Sequence, residues 1–228
     1  YYGNMCQGNG GAVHLVSVKS YLELRGHYYK NVAGKSGGAV HYHMVKNSVQ
    51  FHACIFEYNS ALISGGAIMG DISHQYFSNH SIFAYNMCGK NGGTFEFTDV
   101  SSIQNRYCLF VGNEAKKLGG VLHTSSKSIS SIAIVNYFSI FSGNEGQNGG
   151  TLHISSADKL INKNIQFVYC NAKKKSGTGE GGCLYISNIN KVLNRNCTFK
   201  HNSASLYGGS MYVSQASIIN TVECTFYN

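Results

Sequence analysis

Phe83-Ala-Tyr-Asn86-Met-Cys-Gly-Lys-Asn-Gly92-Gly93-Thr94-Phe95-Glu-Phe97 is followed 27 residues on by Phe110-Val-Gly-Asn113-Glu-Ala-Lys-Lys-Leu-Gly119-Gly120-Val121-Leu122-His-Thr124. Both stretches carry an aromatic residue, an asparagine three positions later, and Gly-Gly six positions beyond that. The Gly-Gly pair, followed by a smaller residue and then a large apolar one, occurs eight times, beginning at Gly10, Gly37, Gly65, Gly92, Gly119, Gly149, Gly181 and Gly208. Successive spacings are 27, 28, 27, 27, 30, 32 and 27 residues. The aromatic–asparagine pair recurs as Phe56/Asn59, Phe83/Asn86, Phe110/Asn113, Phe141/Asn144 and Phe199/Asn202, with Tyr28/Asn31 a variant. An internal repeat of this kind decides the fold before any local reading does.

Residues alternate after each Gly-Gly: Val13 and Leu15, Phe95 and Phe97, Leu152 and Ile154, Leu184 and Ile186, Met211 and Val213 share one face. A period of two marks a strand with that face inward. A second strand runs up to the aromatic, and a third apolar column holds Val49, Tyr76, Ile103, Ile134, Val192 and Ile219. The sequence therefore predicts an all-β, right-handed parallel β-helix of about eight coils, each of ~27 residues and three strands, with the hand set by the chirality of parallel crossovers. At a strand spacing of ~4.8 Å, eight coils make a rod of roughly 40 Å. Asn4, Asn31, Asn59, Asn86, Asn113, Asn144, Asn171 and Asn202 are expected to stack at one corner, and Asn105, Asn136, Asn162 and Asn194 at another turn, because asparagine tolerates left-handed backbone and ladders with its own copies. Residues 1–228 read as a single segment of a longer solenoid, since both ends break within a repeat.

Composition agrees. The 228 residues include 27 Gly and no Pro, where average usage predicts about ten prolines, and proline is excluded from interior strands. No apolar run approaches the ~20 residues of a spanning helix, so no membrane insertion is expected in this segment. The net charge of +8 raises the question of an anionic partner.

Gly-Gly-Ala-Val at 10–13 and 37–40 and Gly-Gly-Ala-Ile at 65–68, coupled to Phe-x-x-Asn, resemble the repeats of the polymorphic outer-membrane proteins of chlamydiae. Similar repeats occur in large surface proteins of some protists. The resemblance spans the whole chain, although Gly-Gly-Ala drifts to Gly-Gly-Thr, Val, Cys and Ser. It implies a pectin-lyase-like β-helix displayed at the cell surface or outside the cell, associated with adhesion, and it carries no catalytic set.

Candidate sites follow from the columns. Lys35, Lys90, Lys116, Lys117, Lys173, Lys174 and Lys175 fall in one turn of different coils and should line an edge. Such a stripe suits an acidic glycan or a neighbouring protein, while the same lysines also keep turns solvated and block edge pairing. The column His14, His41, Met69, Glu96, His123, His153, Tyr185 and Tyr212 is expected to face solvent, and no metal site is assigned to it. Cys54, Cys108, Cys197 and Cys224 trade places with serine, and Cys6 and Cys88 with alanine, the behaviour of small buried fillers. Cys197 and Cys224 should stack in adjacent coils, within reach of a disulfide. Asn79-His80-Ser81 and Asn196-Cys197-Thr198 are glycosylation sequons. The ten acidic residues are scattered, with no two expected side by side on one strand face in adjacent coils. Paired carboxylates for glycoside chemistry are thus not expected. No cofactor motif is present, and no known motif for nucleic acid accompanies the charge. The reading is a non-catalytic structural or adhesive rod that engages a protein or acidic glycan or self-assembles, with an intracellular strut as the alternative.

Overall fold

The computed structural model describes residues 1–126, 132–173 and 179–227. Among these residues every paired strand runs parallel to its counterpart one repeat away, so that Phe83 lies between Phe56 and Phe110. The strands form three sheets of 8, 8 and 13 members, wound as a parallel β-helix of about eight coils. The 13-stranded sheet and the sheet of the aromatic column enclose the main apolar core, and the sheet of two-residue strands contributes a separate small cluster.

The division of the coil into strands differs from the sequence reading. Two expected strands fuse where Val40–His52, Ile68–Asn79 and Phe95–Arg106 run as continuous strands of 13, 12 and 12 residues. Each bends at one residue with positive φ: Met44 at 55°, Ile72 at 52° and Asp99 at 52°. A left-handed residue turns the chain while its neighbours stay extended, and pairing resumes past the bend, with a register shift between Val45 and Ser48 in the first of the three. The third sheet is built from two-residue strands directly after the corner asparagine, such as Met87–Cys88 and Glu114–Ala115. Gly-Gly makes the next corner. Gly92 has φ +66°, and a Cβ on Gly93 would overlap the carbonyl oxygen of Gly120 in the following coil.

Like side chains stack on like along the axis. Tyr28, Phe56, Phe83, Phe110, Phe141, Phe167, Phe199 and Phe226 form a ring column with centroid separations of 4.4 to 5.1 Å. The coil spacing of ~4.8 Å matches ring-stacking distance, so the column and the backbone ladder reinforce each other.

Asn31, Asn59, Asn86, Asn113 and Asn144 are buried at this corner, and the amides link neighbouring coils. Asn113 Nδ2 donates to Asn144 Oδ1 at 3.0 Å and to the Phe83 carbonyl at 2.9 Å. Its Oδ1 accepts from the backbone N–H and the Nδ2 of Asn86, both at 3.0 Å. Asn171 is not part of this ladder. It pairs with Glu145 and Ser203, and at the surface its Nδ2 donates to the Tyr169 carbonyl while its Oδ1 accepts from Ser203 Oγ. Cys170 takes the ladder position, three residues after Phe167, and its N–H donates to Asn202 Oδ1 at 2.9 Å. The second asparagine run lies inside strands rather than at a turn. Ser78, Asn105, Asn136, Asn162 and Asn194 face the core, linked by side-chain bonds of 2.6 to 2.9 Å.

Removing one ladder amide strands buried partners on both sides. Asn113→Ala is expected to destabilise the fold by on the order of 3 kcal/mol, read as a drop in urea midpoint. Cys170→Asn is expected to raise the midpoint by about 1 kcal/mol equivalent, because it reconnects Asn144 to Asn202. Equal effects of the two changes would refute the ladder as the source of stability.

Candidate functional site

The turn after the corner strand carries the predicted lysine edge. Backbone bonds run from Ile63 N–H to the Lys35 carbonyl, from Lys90 to Ile63 and from Lys117 to Lys90, at 2.7 to 2.8 Å. Lys35, Lys90 and Lys117 thus share one file, with Ile63 between the first two. Lys116 and Lys173 follow the alanines of the corner strands in a neighbouring file, and all five are exposed. Lys174 and Lys175 lie outside the described residues.

This edge is not purely basic. Glu114 and Glu145 are direct register partners in adjacent coils, which corrects the expectation that no two carboxylates line up. The extra residues of that repeat lie between Ser125 and Ala133, past the corner, so corner register is kept although the spacing is longer. Lys173 Nζ lies 3.7 Å from Glu145 Oε2, with both side chains exposed. The shallow depression of about 340 Å³ here is lined by Glu114, Lys116, Glu145, Gln147 and Lys173, a mixture of signs. An anion gains little from so compensated a surface.

A second basic surface lies on the outer face of the large sheet, one that the sequence reading did not identify. Register places Arg106, Tyr137, Lys163 and Arg195 in one file. Two residues earlier runs an apolar file of Val135, Ile161 and Leu193, and two earlier again stand Lys159 and Lys191. Arg106 reaches over the rings of Tyr137 at 5.4 Å and Phe77 at 5.8 Å. The signal was present in sequence, since Arg106, Lys163 and Arg195 each follow an asparagine of the inner run.

An open groove of about 470 Å³ follows the bend of the long strands and is lined by Met44, Lys46, Ile72, His74, Asp99 and Ser101 among others. Asp99 is the carboxylate of that lining, and it accepts a hydrogen bond from Ser126 Oγ at 3.1 Å.

Four members of the histidine column are buried, contrary to the expectation of a solvent-facing ladder, while Met69, Tyr185 and Tyr212 are part-buried and His14 is exposed. His41, Glu96, His123 and His153 retain only 6 to 8% exposure. Although these side chains point away from the main core, the Gly-Gly turn folds back against them: a Cβ on Gly37 would stand 3.1 Å from His41 Cβ. A small apolar cluster of Ala61, Cys88 and Ala115 adds a second layer outside the main core. His123 Nδ1 is 2.8 Å from Glu96 Oε2, whereas His153 stacks on Tyr185 at 4.6 Å and leaves its Nδ1 without a hydrogen bond. Among the described residues no three His, Cys, Asp or Glu side chains converge as a metal set.

All eight cysteines are free thiols, Cys197 and Cys224 included. The Cys197 N–H lies 3.4 Å from Cys224 Sγ, so the two do stack in adjacent coils. Burial pushes the Cys88 and Cys197 thiols up to about 12, which keeps them protonated and unreactive. Asn79 is half-buried and Asn196 exposed, while Ser81 and Cys197 within the two sequons are buried.

No family model matches this sequence, and neither a curated protein nor a solved structure matches it.

Burial, with His14 adjacent, lowers the pKa of His41 to about 4, and burial, with His123 adjacent, lowers that of His153 to about 3. Both values lie below the ordinary 6.5, so the unfolded chain binds more protons as pH falls through that value. Stability is therefore full above about pH 6.5 and declines below it, by on the order of 3 kcal/mol per ring at about pH 4. Urea midpoints are expected to fall across this window. The fall should be shallower in His153→Phe, which keeps the ring stack; superimposable pH profiles for variant and parent would refute the assignment.

Proposed function

We propose that the chain is a non-catalytic rod of a cell-surface or extracellular protein, which meets a protein or acidic glycan along its side. The carrying observation is continuous register through about eight coils, which sets outward side chains in files at ~4.8 Å along a filled core. Such a surface suits a repeating or extended partner better than a small substrate. The chemistry of the depressions agrees. Asp99 is the carboxylate of the long groove, and the Glu114/Glu145 pair stands exposed with Lys173 beside it. Glycoside cleavage asks for a second acid across a cleft. The resemblance to chlamydial and protist surface repeats supports display outside the cell.

The free thiols favour a second reading, an internal strut in a reducing compartment. Cys197 and Cys224 are adjacent yet unbridged, and disulfides persist mainly in oxidising compartments.

Membrane-impermeant biotin applied to intact source cells is expected to label the exposed lysines. Labelling only after permeabilisation, together with alkylation of all eight cysteines in denaturant without prior reduction, would overturn the surface reading and leave the strut.

A further inference from the structure

We infer that the outer face of the large sheet, between Arg106 and Arg195, is a binding site for an acidic polysaccharide. This deepens the rod reading and rests on it for where the partner is met.

The face is a flat grid of three files. Arg106, Lys163 and Arg195 form one margin, and Lys159 with Lys191 the other. Successive coils are ~4.8 Å apart and the two cationic margins ~13 Å apart, four residues along extended strands. The acids at the border are engaged: Asp158 Oδ1 accepts from Asn190 Nδ2 at 3.2 Å, and Glu223 stands 3.9 Å from Arg195. Five cations against two bordering carboxylates leave the face positive.

Between the margins lies the apolar strip of Val135, Ile161 and Leu193, each only partly buried. A ligand that fits must offer an apolar surface to the strip and anionic groups to both sides. Sugar rings bearing carboxylate or sulfate groups do this, with C–H faces down and acids at the rim. Arg106 is already held over two aromatic rings, and its planar fork suits a carboxylate or sulfate. With Tyr107, Tyr137, Phe138 and Lys163 it lines a depression of about 260 Å³.

The adjoining corner argues against nucleic acid. His80, Tyr107 and Phe138 stack at 4.8 and 5.1 Å, nearly parallel, and the last two are half exposed. Their faces are packed on one another, so the ladder turns its edges to solvent. Single-stranded nucleic acids bind by stacking bases on open ring faces, whereas ring edges carry the positive side of the aromatic quadrupole and suit anions.

The test is binding of a sulfated or uronate polysaccharide to the purified protein by calorimetry, with neutral dextran and single-stranded RNA as competitors. The Lys163→Gln/Arg195→Gln double variant is expected to weaken binding about tenfold and to flatten its salt dependence. Lys35→Gln/Lys90→Gln on the turn edge is expected to leave binding within about twofold of the parent. Circular dichroism and urea midpoint establish that both variants fold as the parent does. Four outcomes would overturn the proposal: no binding, equal binding of dextran, equal loss in the turn-edge variant, or tighter binding of RNA. None of these touches the biotin experiment, so the rod reading stands or falls separately.

Discussion

A primary amide has two donors and an acceptor with two lone pairs, and at the corner of this β-helix all of them are used. Asn31, Asn59, Asn86 and Asn113 each bond up the axis through Nδ2, down the axis through Oδ1, and across to the carbonyl of the aromatic residue one coil back. A slip of one residue would break several buried bonds at once, leaving donors and acceptors unsatisfied away from water. The amide column therefore fixes register, and the fixed register places ring on ring inside and file beside file outside.

That constraint explains why insertions are tolerated where they are. The repeats of 30 and 32 residues keep Phe141 on Phe110 and Phe199 on Phe167. Their extra residues fall between paired segments, within 126–132 and 174–179. It also explains the discontinuity at Cys170. With no amide there, Asn144 Nδ2 donates to the Phe110 carbonyl and not onward along the axis, while its Oδ1 still accepts from Asn113, and Cys170 holds Asn202 through its backbone instead.

What could be read from the sequence was whatever repeats at fixed offsets from Gly-Gly. The aromatic column, the inward strands and the lysine file of Lys35, Lys90 and Lys117 came from counting alone. Asn171 was misplaced because it lies near the expected offset in a repeat of altered length; counting three residues from Phe167 gives Cys170. The histidine column failed for a different reason. Alternation tells which side of a strand a residue occupies, but a turn that folds back over the outer side, as Gly37 does over His41, leaves no periodic mark. The Glu114/Glu145 pair and the cation grid needed the register itself, since their members stand 31, 26 or 32 residues apart rather than 27.

The corners separate what the backbone requires from what the surface displays. One corner file runs Lys30, Tyr58, Tyr85, Gly112, Gly143, Tyr169 and His201, all at positive φ. Another runs Ala53, His80, Tyr107, Phe138, Asn164, Asn196 and Glu223 in the same conformation. Left-handed backbone costs a non-glycine residue about 1 kcal/mol, and glycine or asparagine would meet the requirement more cheaply. Gly112, Gly143, Asn164 and Asn196 do so. An aromatic at these sites accepts the strain, and stacking on its neighbour, worth about 1 kcal/mol, offsets it. Tyr58 on Tyr85 and Tyr107 on Phe138, each pair at 5.1 Å, set two strained residues against one stack and so add no net stability to the fold. A half-exposed ring ladder that folding does not demand is a property of the outer surface, and it lies beside the face where five cations flank an apolar strip.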